Sequence, residues 1–148
     1  MEPVQAILEA LPYFQQMVGQ TVVIKYGGSA QVDDSLRKNV CEDLVLMQTL
    51  GIRVVLIHGG GPEISKMMKR IGKVAQFIEG LRVTDAETAE IAEMVLVGKI
   101  NKAIVAEITQ HGGRALGLSG RDCNLISARK AAPVEVNGQP VDLGLVGT

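Results

Sequence analysis

Apolar residues recur at helical spacing over residues 4–18, where Val4, Ile7, Leu8, Leu11 and Phe14 line one side while Glu9 and Gln15 fall elsewhere. The pattern predicts an amphipathic helix, which Pro12 should kink or end. The period then changes. TVVIKY, residues 21–26, is a short β-branched run of the kind that forms a parallel strand buried on both faces, and Gly27-Gly28 breaks it. A second helical stripe of Leu36, Val40, Leu44 and Met47 runs over 35–50, with Gly51 just past its end as a C-terminal cap. IRVVLIH, residues 52–58, reads as a second buried strand entering Gly59-Gly60-Gly61, and Pro62 stands where the first residue of a helix reaching Arg70 would fall. Strand, helix, strand, glycine loop and helix make a βαβ beginning, and an open α/β sheet follows as the fold class.

Beyond this point the signals thin. Residues 72–83 are ambiguous, with a short strand around 75–78. Asp85 is a good N-cap for a long helix reaching about Gln110, before the Gly112-Gly113 stop. Its middle is apolar on nearly every side, from Ile91 to Ile108, which suits either a helix between the sheet and a second subunit or one buried within a single chain. A third core strand is expected at 115–118. Short strand candidates follow at 125–129, 134–136 and 141–146, and Asn137-Gly138 marks a hairpin turn between the last two, an antiparallel appendage on the sheet.

Composition narrows the function classes. A chain of 148 residues that is 47% hydrophobic and 21% charged is globular, one domain or two very small ones. Lys plus Arg number 15 against 16 Asp plus Glu, so no bulk positive field draws the chain onto nucleic acid or acidic lipid. Aromatic residues, at 3%, offer few platforms for stacking bases. Any bound anion needs a local site. Cys41 and Cys123 belong to no CxxC and read as free thiols of a reducing cytosol, with no metal cluster around them. Neither a signal segment nor an apolar run long enough to span a bilayer is present, so a soluble, cytoplasmic protein is expected.

The candidate chemistry lies in the glycine loops. In an open α/β sheet, ligands bind outside the carboxyl ends of parallel strands, where Gly27, Gly28 and Gly59 to Gly61 fall. Successive backbone N–H groups backed by a helix N-terminus can cradle phosphate oxygens. Neither loop is a Walker A motif or a complete GxGxxG, and two tight turns needing positive φ remain the competing reading. Lys25, near the end of an apolar strand, either snorkels outward or points beside the glycines, where its ammonium would compensate charge on a transferring phosphoryl group. Arg82, just before the Asp85 cap, offers a planar fork suited to a carboxylate, although a lone arginine is usually a surface residue. His58 reads as a packed strand-end residue and His111 as a helix C-terminal charge. Asp33-Asp34 and Asp122 read as loop and cap residues, and no nucleophile–base set can be assembled.

VVIKYGG (22–28), IHGGGPEI (57–64), GLRVTD (80–85), EMVLVGKINK (93–102) and GLSGRDCNLISARK (117–130) occur in the order and spacing of the acetylglutamate kinases, within the amino acid kinase family, and the resemblance covers essentially the whole chain. It implies a carbamate kinase-like, three-layer αβα sandwich with a mainly parallel sheet. It implies ATP-dependent phosphorylation of the γ-carboxylate of N-acetyl-L-glutamate in arginine biosynthesis, with Mg²⁺ accompanying the nucleotide rather than held by the protein. By the same resemblance Lys25 stabilises the transition state, Gly60 and Gly61 contact substrate and γ-phosphoryl, Gly27, Gly28 and Gly59 form the phosphate loops, and Arg82 grips the substrate α-carboxylate.

The helix over 85–110 corresponds to the family's principal dimer contact. The segment 1–20 resembles the N-terminal helix that interlaces dimers into hexamers in arginine-inhibited members, with Tyr13 matching a residue of their arginine site, and some members bind a PII regulatory protein. Many relatives carry Asn and Met where this chain has Ser29 and Gln31. Relatives are about twice as long by domain-size reasoning, so residues 21–148 are expected to form the acetylglutamate-binding lobe without the nucleotide-binding one. Two alternatives stand beside this: a non-catalytic acetylglutamate-binding or assembly fragment, and a related kinase such as an aspartokinase.

Overall fold

A computed structural model of the chain describes residues 3–27 and 34–148. In chain order the elements are α1 (Pro3–Met17), β1 (Thr21–Tyr26), α2 (Asp34–Thr49), β2 (Arg53–His58), α3 (Gly61–Arg70), β3 (Phe77–Ile78), β4 (Leu81–Arg82) and α4 (Ala86–Glu93). A π-helical segment (Met94–Asn101), α5 (Lys102–Gln110), a 3₁₀ turn (Asp122–Asn124), β5 (Val134–Val136) and β6 (Gln139–Val141) complete it. The chain divides into two compact units, 1–59 with 104–116, and 60–103 with 117–148.

In the first unit β1 and β2 pair in parallel, in register from Thr21↔Arg53 to Tyr26↔His58, and α2 is the crossover that packs on β2. The expected βαβ is therefore formed. Gly51 ends α2 at φ 82°, in the left-handed region where a side chain is strained. Tyr26, Cys41, Leu44, Ile52 and Ile104 are buried here. Burial pushes the Cys41 thiol up to about 11, with the Glu107 carboxylate acting in the same direction and Arg37 opposing. Arg37 Nε donates to Glu107 Oε2 at 2.7 Å.

One expectation is narrowed in this unit and another fails. Of the two outcomes expected at Pro12, a kink or an end, the end does not occur, and the first helix runs on to Met17. The strands are not buried on both faces: exposure alternates along each, leaving Val23 (66%), Val55 (43%) and Ile57 (53%) on one open face together with Lys25. A continuous apolar run shows only that both faces are apolar; it does not show that this stretch of chain covers both.

The second unit packs α3 against α4 and the π-helical segment, burying Ile64, Met68, Thr88, Ile91, Val95 and Ile100. The ambiguous region is a hairpin. Phe77 pairs with Arg82 and Ile78 with Leu81 across Glu79-Gly80, both at positive φ (49° and 77°), the signature of a two-residue turn whose twist suits antiparallel strands. The second hairpin, β5 with β6, turns at Asn137-Gly138 as expected, again at positive φ. Asp85 caps α4, its Oδ1 accepting from the Thr88 backbone N–H at 2.7 Å.

The third core strand is not formed among the described residues, and 125–129 is not a strand either. The carbonyls of Gly117 and Leu118, which a ladder would use, accept instead from Lys102 Nζ (3.2 Å) and Asn101 Nδ2 (3.3 Å). Where 141–146 was expected to continue as strand, β6 stops at Val141, and the chain turns at Asp142, whose Oδ1 accepts from the Gly144 N–H. Beyond it, Thr84 N donates to Leu143 O (2.8 Å) and Leu145 N to Thr84 O (2.7 Å), so the terminal segment is tied beside the Arg82 hairpin.

Candidate functional site: a helix N-terminus and its arginine

α3 begins without a side-chain cap. Its N-cap is Gly60, Pro62 follows at the helix start, and Glu63 lies in the first turn. Pro62 has no N–H to leave unsatisfied, while the N–H groups of Gly61 and Glu63 are the orphan donors that make a helix N-terminus electropositive. Gly60 is buried and in extended backbone, φ 176°, so its glycine identity has nothing to do with a left-handed turn. It is steric: a Cβ there would lie 2.8 Å from Leu96 Cδ2 and closer still to Ile100 Cδ1, both on the π-helical segment.

Arg82 lies against this first turn. Its Nη2 donates to Gly61 O at 3.0 Å and to Ser65 Oγ at 2.8 Å, and its Nη1 to Met68 Sδ at 3.2 Å. The guanidinium also stands 4.6 Å from the centroid of Phe77, its cross-strand partner. Partial burial draws its pKa somewhat below the usual value, and a guanidinium remains charged. Three contacts use three of five N–H groups. Two remain for an incoming acceptor, so a fixed cation and an uncapped helix N-terminus meet in one place, an arrangement suited to a carboxylate or phosphate. Glu63 is held below the usual carboxylate range by Lys99, with Lys66 beside it, so the acidic residue of this turn is neutralised by its own cations.

The other candidates lie in the first unit. Lys25 is exposed at the end of β1, beside Ile57 in register, and makes no hydrogen bond or ion pair among the described residues. Gly59 N donates to Tyr26 O at 3.4 Å, which sets Gly59 next to Gly27 at the carboxyl ends of the two strands. Neither these two glycines nor Gly61 has positive φ, and a side chain on any of them would meet nothing within 4 Å. The tight-turn reading therefore fails at Gly27, Gly59, Gly60 and Gly61. Gly28 lies outside the described residues, as do Asp33, Ser29 and Gln31. Tyr13 is exposed on α1. His58 contacts the Gly59 carbonyl, and His111 lies 3.6 Å from Glu42 past the end of α5.

Sequence reading missed Ser65 and Phe77. The Glu-Gly dipeptide between Phe77-Ile78 and Leu81-Arg82 is a turn signal that would have set Phe77 opposite Arg82. No comparable signal marks Ser65. Among the described residues no cluster of His, Cys, Asp or Glu is placed to hold a metal ion, and no helix is long and apolar enough to cross a membrane.

Comparison with known proteins bears on the same motifs. Residues 20–143 match the model of the amino acid kinase family. The chain is 57% identical over 146 residues to an acetylglutamate kinase of Moorella thermoacetica, and 53% identical over 152 residues to one of Syntrophobacter fumaroxidans. These alignments take in 98% and 99% of this chain but 49% and 51% of the relatives, so the chain spans about half their length. Its fold is similar to N-acetylglutamate synthase from Neisseria gonorrhoeae, solved with coenzyme A and N-acetyl-glutamate, at a TM-score of 0.77 and 27% identity over 99% of this chain and 32% of that one. With a βαβ unit running into a glycine loop, a strand arginine hydrogen-bonded to the first turn of the helix that follows and a family match over residues 20–143, the chain belongs to the amino acid kinase family.

Proposed function

We propose that the chain provides the acceptor-binding part of an acetylglutamate kinase, which moves a phosphoryl group from ATP, with Mg²⁺ on the nucleotide, to the γ-carboxylate of N-acetyl-L-glutamate. The observation that carries this is Arg82 held on the first turn of α3 beside Gly61. The names of relatives that are 53–57% identical support the choice of acceptor.

Arg82 takes the α-carboxylate through its two remaining N–H groups, and the Gly61 end of α3 presents backbone donors to anionic oxygens. Gly27, Gly59 and Gly61 have neither strained φ nor crowding to explain them, and close approach of an anion to their N–H groups is the use that remains. Lys25 is assigned, by resemblance, to compensating charge on the transferring group. Its exposure leaves the ammonium available. Cationic side chains and glycine amides are each donors that suit phosphate oxygens, while ATP supplies the group transferred. No covalent enzyme intermediate is needed. The acceptor carboxylate attacks in line, and the protein contributes positioning and charge compensation.

In this proposal the described residues bind the acceptor and not the nucleotide. Assembly through the helix of α4, the π-helical segment and α5, and through the exposed apolar stripe Val4, Ile7, Leu8 and Leu11 of α1, belongs to the same proposal. So do arginine control at Tyr13, PII binding and a cytoplasmic location. Calorimetric titration tests the central claim. N-acetyl-L-glutamate should bind and ATP hardly at all; absence of any N-acetyl-L-glutamate binding sinks the proposal.

A further inference from the structure

The hydroxyl of Ser65 makes two hydrogen bonds of different kinds. It donates to Gly61 O at 3.1 Å, the ordinary bond of a helical serine to the carbonyl four residues back, and it accepts from Arg82 Nη2 at 2.8 Å, a donor from another element. Arg82 Nη2 also donates to that same Gly61 carbonyl, at 3.0 Å. The three groups form a closed triangle, with the Phe77 ring against the guanidinium and Met68 Sδ on its other terminal nitrogen.

This is more than helix formation requires. Alanine is the better helix former at such a position, so the serine adds nothing to α3 as a helix. Its distinguishing contact is the one to Arg82. An arginine side chain loses much rotational freedom when it binds, and a guanidinium already tied at one end has less to lose. Without Ser65 the guanidinium would keep the Gly61 carbonyl, Met68 Sδ and the Phe77 ring, but Nη2 would hold one partner in place of two, and Ser65 supplies that second point on the same nitrogen.

We propose that Ser65 is a positioning residue: it holds the Arg82 guanidinium in the pose that receives a carboxylate. What the guanidinium is held for rests on the function proposed above; that it is held by Ser65 does not.

The test uses the whole 148-residue chain with two readouts. The first is ¹⁵N relaxation of the arginine Nε–Hε groups, with Arg82 assigned by substitution. In Ser65→Ala, Arg82 should become measurably more mobile, short of a free surface arginine because Gly61, Met68 and Phe77 still touch it, and Ser65→Thr, which keeps the hydroxyl, should restore wild-type rigidity. The second is calorimetric titration with N-acetyl-L-glutamate, where Ser65→Ala should weaken binding roughly 2- to 10-fold, the worth of one immobilised side chain, and Ser65→Thr should recover most of it. A thermal melt should show S65A no less stable than wild type, which separates positioning from folding. An Arg82 as rigid in S65A as in wild type overturns the proposal, as does a loosened Arg82 with unchanged affinity. A wild-type chain that binds no N-acetyl-L-glutamate sinks the substrate reading instead, and the relaxation readout still decides whether Ser65 holds Arg82.

Discussion

Arg82 on its own in a sequence is indistinguishable from the many arginines that simply face water. In the fold it is half-buried, with three hydrogen bonds and an aromatic neighbour. Changing it to Ala should weaken N-acetyl-L-glutamate binding at least about tenfold, the usual worth of a hydrogen bond to a charged group. Arg82→Lys should fail to restore it, because an ammonium cannot reach Gly61, Ser65 and a ligand together. Titration of both variants checks this. Affinity retained in Arg82→Ala would return the residue to the surface class. The two cysteines make a second residue-scale contrast. Cys41 is 1% exposed and its thiol is pushed up to about 11, whereas Cys123 is exposed. A thiol reagent at mildly alkaline pH should label Cys123 promptly and Cys41 only as the chain unfolds. Because the folded thiol titrates above its ordinary value of 9.0, the stability this group contributes is complete below that value and is lost as pH rises through about 11.

Elements were legible wherever a long periodic pattern met punctuation. The first two helices, both parallel strands, the Asp85 cap and the Asn137-Gly138 turn all lie where apolar spacing and a Gly, Asp or Asn mark them. Short segments were not legible, because their identity depends on what else claims their backbone groups. The run 115–118 reads as strand, yet side chains of Asn101 and Lys102 take its carbonyls. In the site, the residue types pointed to an anion, while Ser65 became visible only through a hydrogen bond across 17 positions.

Two predictions belong to this scale. Gly144 has φ 82°, and a Cβ there would collide with the Thr84 carbonyl, so Gly144→Ala should destabilise the chain by about 1–3 kcal/mol in denaturant titration. Lys73 Nζ lies 2.8 Å from Asp85 Oδ2 and 2.6 Å from Glu87 Oε2, and together with the Thr88 cap it holds Asp85 well below the usual carboxylate range. A depressed folded value means the contribution is present above the unfolded carboxylate pKa and fades as pH falls below it. Lys73→Met should therefore lower the melting temperature at pH 7 and have progressively less effect on acidification. An equal effect at all pH values would remove the charge pair from the account.

For the molecule as a whole, the open face of the β1/β2 pair is the feature that composition concealed. Val23, Val55 and Ile57 there present apolar surface to water, with Lys25 as the only charged neighbour on β1. Such a face promotes association of a chain handled in isolation. Val23→Thr combined with Val55→Thr, which keeps β-branched residues at both positions, should raise the concentration at which the chain stays monomeric in sedimentation experiments while leaving its circular dichroism unchanged. Monomer at all concentrations in the parent chain would show that the face is innocuous.

The Glu79-Gly80 turn carries a consequence for how this kind of binding could be lost. Side chains alternate sides along a strand, so one residue added between Ile78 and Leu81 would send Arg82 to the far side of its ribbon and bring a leucine or valine over α3 instead. Every residue of the proposed site would still be in the gene, yet a carboxylate bound as proposed would find a hydrocarbon in place of a cation. If Arg82 receives a carboxylate as proposed, insertions of a single codon in this turn, as well as exchanges of the arginine itself, would abolish that binding.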